Sequence, residues 1–456
     1  MNTLITISAL GILSMLSEIL NFKKLLFSLV IAGFFGAIVL TCFDWDTSYS
    51  YYNNMLTFDN YALAFSGLLI LVSALWFFMS RSYFTSESSA SDHYTLILFS
   101  LAGGIVMTSF SNLTMFFIGL EILSISVYVL AGSDKKNIRS NESALKYFMM
   151  GAFATGFLLF GIALIYGASG TFDLRGIAMY AGENSDILPL MFYAGIILLL
   201  VGLLFKVSAA PFHFWAPDVY EGAPTVVTAF MATIVKTAAF AAFYRLFSTC
   251  FSVSFEWWTP LIAVISAITM LLGNIIAVYQ KSLKRMLAYS SIAHAGYMLM
   301  AVTALNQTSS GAILLYAAAY SLASIGIFTV LNYMTAAGDE NISALKGFSK
   351  SHPAGAALIS LCVLSLAGIP PVAGFFAKYY IFYGALKSDL TWLVLVAVLS
   401  SLIGVYYYFR IIIAMYQPVE NEPSFSVKGI NFFVLLIAGL LSLALGIFPA
   451  WVIGLL

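Results

Sequence analysis

Apolar runs of about twenty residues recur from one end of this 456-residue chain to the other, and each is long enough to cross a hydrocarbon core of roughly 30 Å as a helix. Inside lipid a peptide group finds no water to bond. A spanning segment must therefore satisfy its own backbone, and an open strand edge would leave groups unpaired at several kcal/mol each. Composition agrees: 61% of the residues are hydrophobic and 9% are charged, against roughly a quarter charged in soluble domains. A soluble fold is excluded. Formal net charge is zero, so the charge balance calls for neither nucleic acid nor an acidic soluble partner.

Breaks at polar residues, glycine and proline divide the chain into about fourteen expected helical crossings. They are 3–20, 24–43, 59–80, 93–111, 113–132, 142–167, 188–214, 223–250, 259–280, 285–305, 309–334, 353–385, 390–416 and 429–455. The first lacks the basic start and small-residue cleavage site of a signal peptide, and is expected to be retained. Cys42, Cys250 and Cys362 lie far apart with no paired spacing, which argues against a disulfide or metal framework and for small packing residues. Odd-numbered loops hold Lys23, Lys24, Arg81, Lys135, Lys136, Arg139, Lys281, Lys284, Arg285, Lys346, Lys350 and Lys428, whereas even-numbered loops hold Arg175 and Lys387. Basic loops stay in the cytoplasm, so both termini are expected on the non-cytoplasmic side. The loop after crossing 7 departs from this pattern, with Asp218 and Glu221 and no basic residue.

Crossings 7 and 12 are unusually long and contain Pro211 and Pro370-Pro371. Proline removes a backbone donor and clashes with the preceding turn, so each helix should break there and free carbonyls within the membrane. Paired broken helices at corresponding places in two halves point to inverted repeats around an ion site. The expected fold is an all-α membrane protein with two inverted five-helix repeats, crossings 4–8 and 9–13. The expected divisions are residues 1–92, 93–250, 251–416 and 417–456.

Six basic residues fall within or beside crossings: Lys146, Lys206, Lys236, Arg245, Lys378 and Arg410. A charge at a helix centre costs about 2.5–3.5 kcal/mol even on the lenient insertion scale. Lys146, Arg245 and Arg410 lie nearer ends, where long side chains snorkel or anchor loops. Lys236 is mid-segment in FMATIVKTAAFAAF, while Lys206 and Lys378 lie near the two helix breaks. Intramembrane charge of this kind marks ion or proton pathways. Glu121, mid-helix in NLTMFFIGLEILSISVYVL, is the one acid placed at mid-membrane and needs a cation. At about 7 Å from Lys206 and an effective dielectric near 20, the coupling would be roughly 2.4 kcal/mol, enough to decide whether the lysine keeps its proton. A static ion pair that fixes helix register is the competing reading. His294, in AYSSIAHAGYM, titrates in a range suited to a relay but equally fits a bonded structural histidine; His213 reads as local structure, and His93 and His352 as interfacial. No phosphate-binding loop, metal spacing, nucleophile elbow or bis-histidine haem pattern is present in the sequence.

Three stretches, FKVSAAPFHFWAPDVYEGAPTVVTAF, KSLKRMLAYSSIAHAGYML and LAGIPPVAGFFAKYYIF, closely resemble the antiporter-like membrane subunits of bacterial NADH-quinone oxidoreductase, respiratory complex I, and among them the N-subunit family. The resemblance spans crossings 4 to 14; residues 1–92 match no motif. It implies proton transfer by Glu121, Lys206, Lys236 and Lys378, driven by quinone reduction elsewhere in the complex. By the same resemblance Glu121 modulates Lys206, Lys236 links half-channels, and Lys378 exchanges protons with one side. A lysine on crossing 12 separates the N and L types from the M type, and an L type would continue past Leu456. The resemblance also implies partner subunits M, K and J, a bacterial inner-membrane location, and NADH, FMN, iron–sulfur clusters and quinone on other subunits, with no cofactor or metal on this chain. The rival readings are a subunit of an Mrp-type cation/proton antiporter, built on the same plan, and a structural scaffold whose buried ions only hold register.

Overall fold

The computed structural model describes residues 1–20, 22–85, 90–185, 188–418 and 425–456, and helix occupies every one of the fourteen expected crossings. Among the described residues, 10 helices are long and apolar enough to span a membrane, and the shorter apolar helices Asn2–Leu16, Leu190–Lys206 and Pro353–Ala367 accompany them. The last two are short because each is the first half of a broken crossing. The chain forms two compact units, Met1–Phe77 with Ser82–Ser208 and Ile234–Leu261, and Phe78–Arg81 with Ala209–Thr233 and Ile262–Leu456.

The chain runs through α1 (Asn2–Leu16), α2 (Lys23–Phe43), the strands β1 (Tyr49–Tyr51) and β2 (Leu56–Phe58), α3 (Asn60–Thr85), α4 (Ala90–Ser109), α5 (Leu113–Ala131) and α6 (Ile138–Ser169). Next come α7 (Leu174–Glu183), α8 (Leu190–Lys206), α9 (Trp215–Gly222) and α10 (Thr225–Phe230), which passes through a π-helical turn, Met231–Val235, into α11 (Lys236–Thr249). α12 (Phe255–Val278), α13 (Leu283–Ala304) and α14 (Ser309–Ala336) follow. The chain ends with α15 (Phe348–Ser351), α16 (Pro353–Ala367), α17 (Ala373–Lys387), α18 (Thr391–Tyr416), α19 (Ile430–Ile447) and α20 (Ala450–Ile453).

In the first unit, small residues let helices approach closely, which is how apolar helices gain packing energy where lipid offers no hydrophobic drive. A Cβ on Gly103 of α4 would lie 2.7 Å from the Gly119 carbonyl oxygen of α5, and one on Gly161 of α6 would lie 2.7 Å from that of Gly195 in α8. β1 and β2 form an antiparallel hairpin, and Leu56 continues the pairing to Phe110. Asn112 then bridges Asp173, and each of these two residues caps the helix that follows it, at Thr114 N (2.8 Å) and Gly176 N (2.8 Å).

The second unit contains the same kind of joint. Ser282 bridges Asn341, and Ser282 caps α13 through Arg285 N (3.4 Å). In each unit the bridge ties the loop before the second helix of a five-crossing repeat to the loop before the fourth. The membrane-length window of α14 is 100% buried. α6 presents Leu145, Phe148, Met149, Phe153 and Phe160 outward, a face suited to lipid.

Four details differ from the sequence expectation. Crossing 7 continues past Pro211 as α9, so Asp218 and Glu221 are helical rather than loop residues. Lys284, counted with the loop cations, is the second residue of α13 and is buried. The hairpin and the amphipathic α7 were not expected from hydropathy, being too short to span. Cys42 is exposed rather than packed, while Cys250 and Cys362 are buried and free.

Candidate functional site

In the first unit, Asn112 starts α5 and places Glu121 and Ser124 one turn apart on the same helix face. α8 ends at Lys206. The chain leaves the helix through Ser208 at φ +62°, and Ala210-Pro211 is cis. This stop leaves the Lys206 side chain inside the unit, 4% exposed. Its Nζ donates to Ser124 Oγ at 2.7 Å, and Ser124 Oγ donates to the Leu120 carbonyl at 2.5 Å. The rings of Tyr128 and Tyr147 lie 5.8 and 5.9 Å from the ammonium. Glu121 acts electrostatically on Lys206 and on Tyr128, while its Oε1 has no hydrogen-bond partner among the described residues. Glu121 thus faces Lys206 through its charge, with no closed ion pair between the two among the described residues.

Lys236 is buried and is the first residue after the π turn. A π turn inserts one extra residue into a helix, and such turns are frequent at functional sites. Neither proline nor glycine lies in Met231–Val235, so the sequence offered no signal for it. Nine residues farther on, Arg245 bonds Asp59 Oδ1 at 2.5 Å and lies 5.2 Å from the Tyr61 ring, so it is anchored by an ion pair instead of by snorkelling.

In the second unit, the break at Pro370-Pro371 ends α16 at Ala367, and the freed carbonyl there receives a cation. Lys378 Nζ, from α17, donates to Ala367 O at 2.8 Å and to Ser401 Oγ at 2.9 Å, with the Tyr297 ring 5.1 Å away. Gly368 gives the chain its turn at φ +81° beside the lysine. His294 contacts Tyr316 Oη through Nδ1 at 2.7 Å and Tyr408 Oη through Nε2 at 3.0 Å, and Tyr408 meets the Ser290 hydroxyl. A cavity of about 10 Å³, near the threshold for one water, is lined by His294, Tyr316, Tyr320, Ser365 and Lys378. Asn274 joins the same region, donating to Tyr297 Oη (3.2 Å) and Ser400 Oγ (2.8 Å) and accepting from Tyr407 Oη (2.8 Å).

His294 and Lys378 thus share one cavity, and Glu121 and Lys206 share one region of the first unit. His213 is buried, and its Nδ1 has no hydrogen-bond partner among the described residues. The serine partners of the lysines, the tyrosine cluster and Asn274 were not singled out in the sequence, because hydroxyls in apolar helices are common and nothing local marks them. Arg410 bonds the Val278 and Gln280 carbonyls (2.6 and 3.3 Å) and Lys146 pairs with Glu142 (2.7 Å), in keeping with anchoring. Among the described residues, no group of three or more His, Cys, Asp or Glu is arranged to hold a metal ion.

Residues 109–404 match the family described as NADH:quinone oxidoreductase/Mrp antiporter, TM. The chain is 45% identical to NADH-quinone oxidoreductase subunit N of Cytophaga hutchinsonii, over 98% of both chains, and 44% identical to that of Flavobacterium johnsoniae, over 100% of both. A chain of respiratory complex I from Thermus thermophilus with bound aureothin superposes with a TM-score of 0.85 at 31% identity, over 99% of this chain and 98% of that one. A chain of an Mrp complex from a Dietzia species gives a TM-score of 0.87 at 19% identity, covering 99% of this chain and 95% of that one, which speaks to fold alone.

Proposed function

This chain belongs to the NADH:quinone oxidoreductase/Mrp antiporter family of membrane subunits, within it to the N subunits of NADH-quinone oxidoreductase, and on that premise we propose that it carries protons through the membrane on buried lysines. Quinone reduction on other subunits supplies the drive, and NADH, FMN, iron–sulfur clusters and quinone are bound there. Its neighbours in the bacterial inner membrane are the M, K and J subunits.

The observation that carries this reading is the chemistry of the lysine partners. Lys206 and Lys378 are each buried against a serine hydroxyl, Ser124 and Ser401. A hydroxyl accepts from an ammonium and, once its proton is turned toward the nitrogen (for Ser124, away from the Leu120 carbonyl), donates to a free amine, so it serves both protonation states. A carboxylate at ion-pair distance would serve only the charged one. A register-fixing ion would be held by such a carboxylate, because an imperfectly paired buried charge is costly. Glu121 then sets the charge balance near Lys206, while His294 and the cavity beside Lys378 supply the next step in the second unit. Lys236 takes the place between them in the sequence of transfers.

The Mrp-type reading rests on shared fold at 19% identity, whereas the N-subunit relatives reach 45% over nearly the whole chain. The test is proton pumping by vesicles holding the whole complex with Lys206→Ala, with assembly and electron transfer to quinone recorded together. Loss of pumping with slowed or uncoupled electron transfer in an assembled complex is expected. Normal pumping at normal turnover would remove Lys206 as a carrier.

A further inference from the structure

One buried lysine of the second unit has no part in the reading above. Lys284 is 3% exposed, at the start of α13, and its Nζ donates to the Ala223 carbonyl at 2.7 Å. That carbonyl lies at the joint between α9 and α10, where the intervening Pro224 offers no N–H. The same ammonium lies 3.6 Å from Glu340 Oε1, and the Glu340 side chain is 26% exposed. Glu340 Oε1 also accepts from Thr335 Oγ1 at 3.0 Å, and Thr335 Oγ1 lies 2.9 Å from Thr225 Oγ1. The backbone holds this carboxylate in place: Leu283 N bonds Glu340 O at 2.8 Å, and Ile342 N bonds Lys281 O at 3.1 Å, on either side of the Ser282–Asn341 bridge.

We propose that Glu340, backed by Lys284, is the group through which the second unit exchanges protons with water on the side of its basic loops; this rests on the proton-carrying reading above. An ordinary surface ion pair has both partners in water and contributes little. Here one edge of the carboxylate meets solvent, and the other meets a buried ammonium and the Thr335 hydroxyl, which in turn meets that of Thr225. Inward from this point, α13 carries Ser291 seven residues after Lys284, on nearly the same face and about 10 Å farther at 1.5 Å per residue. Ser291 hydrogen-bonds with Tyr220 and Tyr320, and Tyr320 lines the cavity shared by His294 and Lys378. Along α13, Ser291 therefore lies between the start of the helix at the water-facing carboxylate and His294 of the relay. In the exchange, the carboxylate takes a proton from hydronium and leaves water. It then gives that proton to a hydroxyl or water on its inner side, which passes another on, and returns to carboxylate. Between exchanges the Lys284 ammonium, 3.6 Å away, faces the Glu340 carboxylate.

The test uses the assembled complex with Glu340→Gln, Glu340→Asp and, in parallel, Lys378→Met. Glutamine keeps the acceptor for Thr335 but cannot exchange a proton. Coupled turnover is expected to fall severalfold in Glu340→Gln, to return in Glu340→Asp, and to rise again in Glu340→Gln as imidazole is added as a mobile proton carrier. A merely structural role would not respond to imidazole. Normal turnover in Glu340→Gln, or a loss that neither aspartate nor imidazole restores, would overturn the proposal. If Lys378→Met abolishes pumping while Glu340→Gln is silent, only the port falls; if Lys378→Met pumps normally, the underlying reading falls with it.

Discussion

Gly368 and Gly338 separate two consequences of the same substitution. Both lie at positive φ, +81° and +85°, so alanine at either costs about 1–2 kcal/mol for the left-handed backbone. At Gly338 nothing lies within 4 Å of an added Cβ. At Gly368 the Cβ would meet Lys378 Cδ at 2.8 Å, Nζ at 3.0 Å and Cε at 3.1 Å, and the lysine would have to leave the Ala367 carbonyl and Ser401 to make room. Coupled proton pumping is therefore expected to drop sharply in Gly368→Ala and to persist in Gly338→Ala, both measured in assembled complex. Equal effects would mean that the backbone, not the seat of Lys378, decides. The lysines themselves were legible in the sequence because an apolar run makes any charge conspicuous. Their partners were not, since Ser124, Ser401 and the tyrosines around His294 are brought together only by the fold.

At the scale of elements, hydropathy located the crossings because burial in lipid is imposed over a whole turn-rich segment, and the prolines located the breaks because the missing N–H is written in the residue. α9 was hidden by its charges, Asp218 and Glu221, which read as loop until Arg285, more than sixty residues away, is seen to bond them at 3.3 and 2.5 Å. The π turn before Lys236 and the hairpin at β1 and β2 left no composition signal. Asp59 and Arg245 join α3 to α11 in the same way, by a pair that neither segment announces alone. The Arg245 side chain is 9% exposed and that of Asp59 39%, so Asp59→Asn strands a buried guanidinium at a cost of about 1–3 kcal/mol, below the value for a fully buried pair. Arg245→Met with Asp59→Asn is expected to lose less than the sum of the two single changes, because the stranded charge is gone in the double variant. The fraction of subunit retained in the complex after graded heating gives the comparison, and strict additivity would mean that the pair contributes nothing.

For the whole molecule, sidedness follows from how its loop cations are shared out. Lys and Arg in short loops resist transfer across the membrane, and all but two of the loop cations fall in the odd-numbered loops. The burial of Lys284 removes one from that set without altering the balance. Lys136 and Lys350 are exposed in odd-numbered connections, the latter in the short α15, whereas Lys387 is exposed at the end of α17, where an even-numbered loop begins, and Asn54 in the hairpin between α2 and α3. The hairpin belongs to the second loop, so Asn54 and Lys387 should share one side, and Lys136 and Lys350 the other. Single cysteines at these four positions, in a chain carrying Cys42→Ser to silence the one exposed native thiol, are expected to react with an impermeant thiol reagent in two pairs. In right-side-out vesicles only Asn54→Cys and Lys387→Cys should be modified, and in inverted vesicles only Lys136→Cys and Lys350→Cys. A reversed pattern would place Glu340 on the outer side and turn its proposed exchange from uptake to release, while labelling of Lys136→Cys and Asn54→Cys from one side would break the expected succession of crossings.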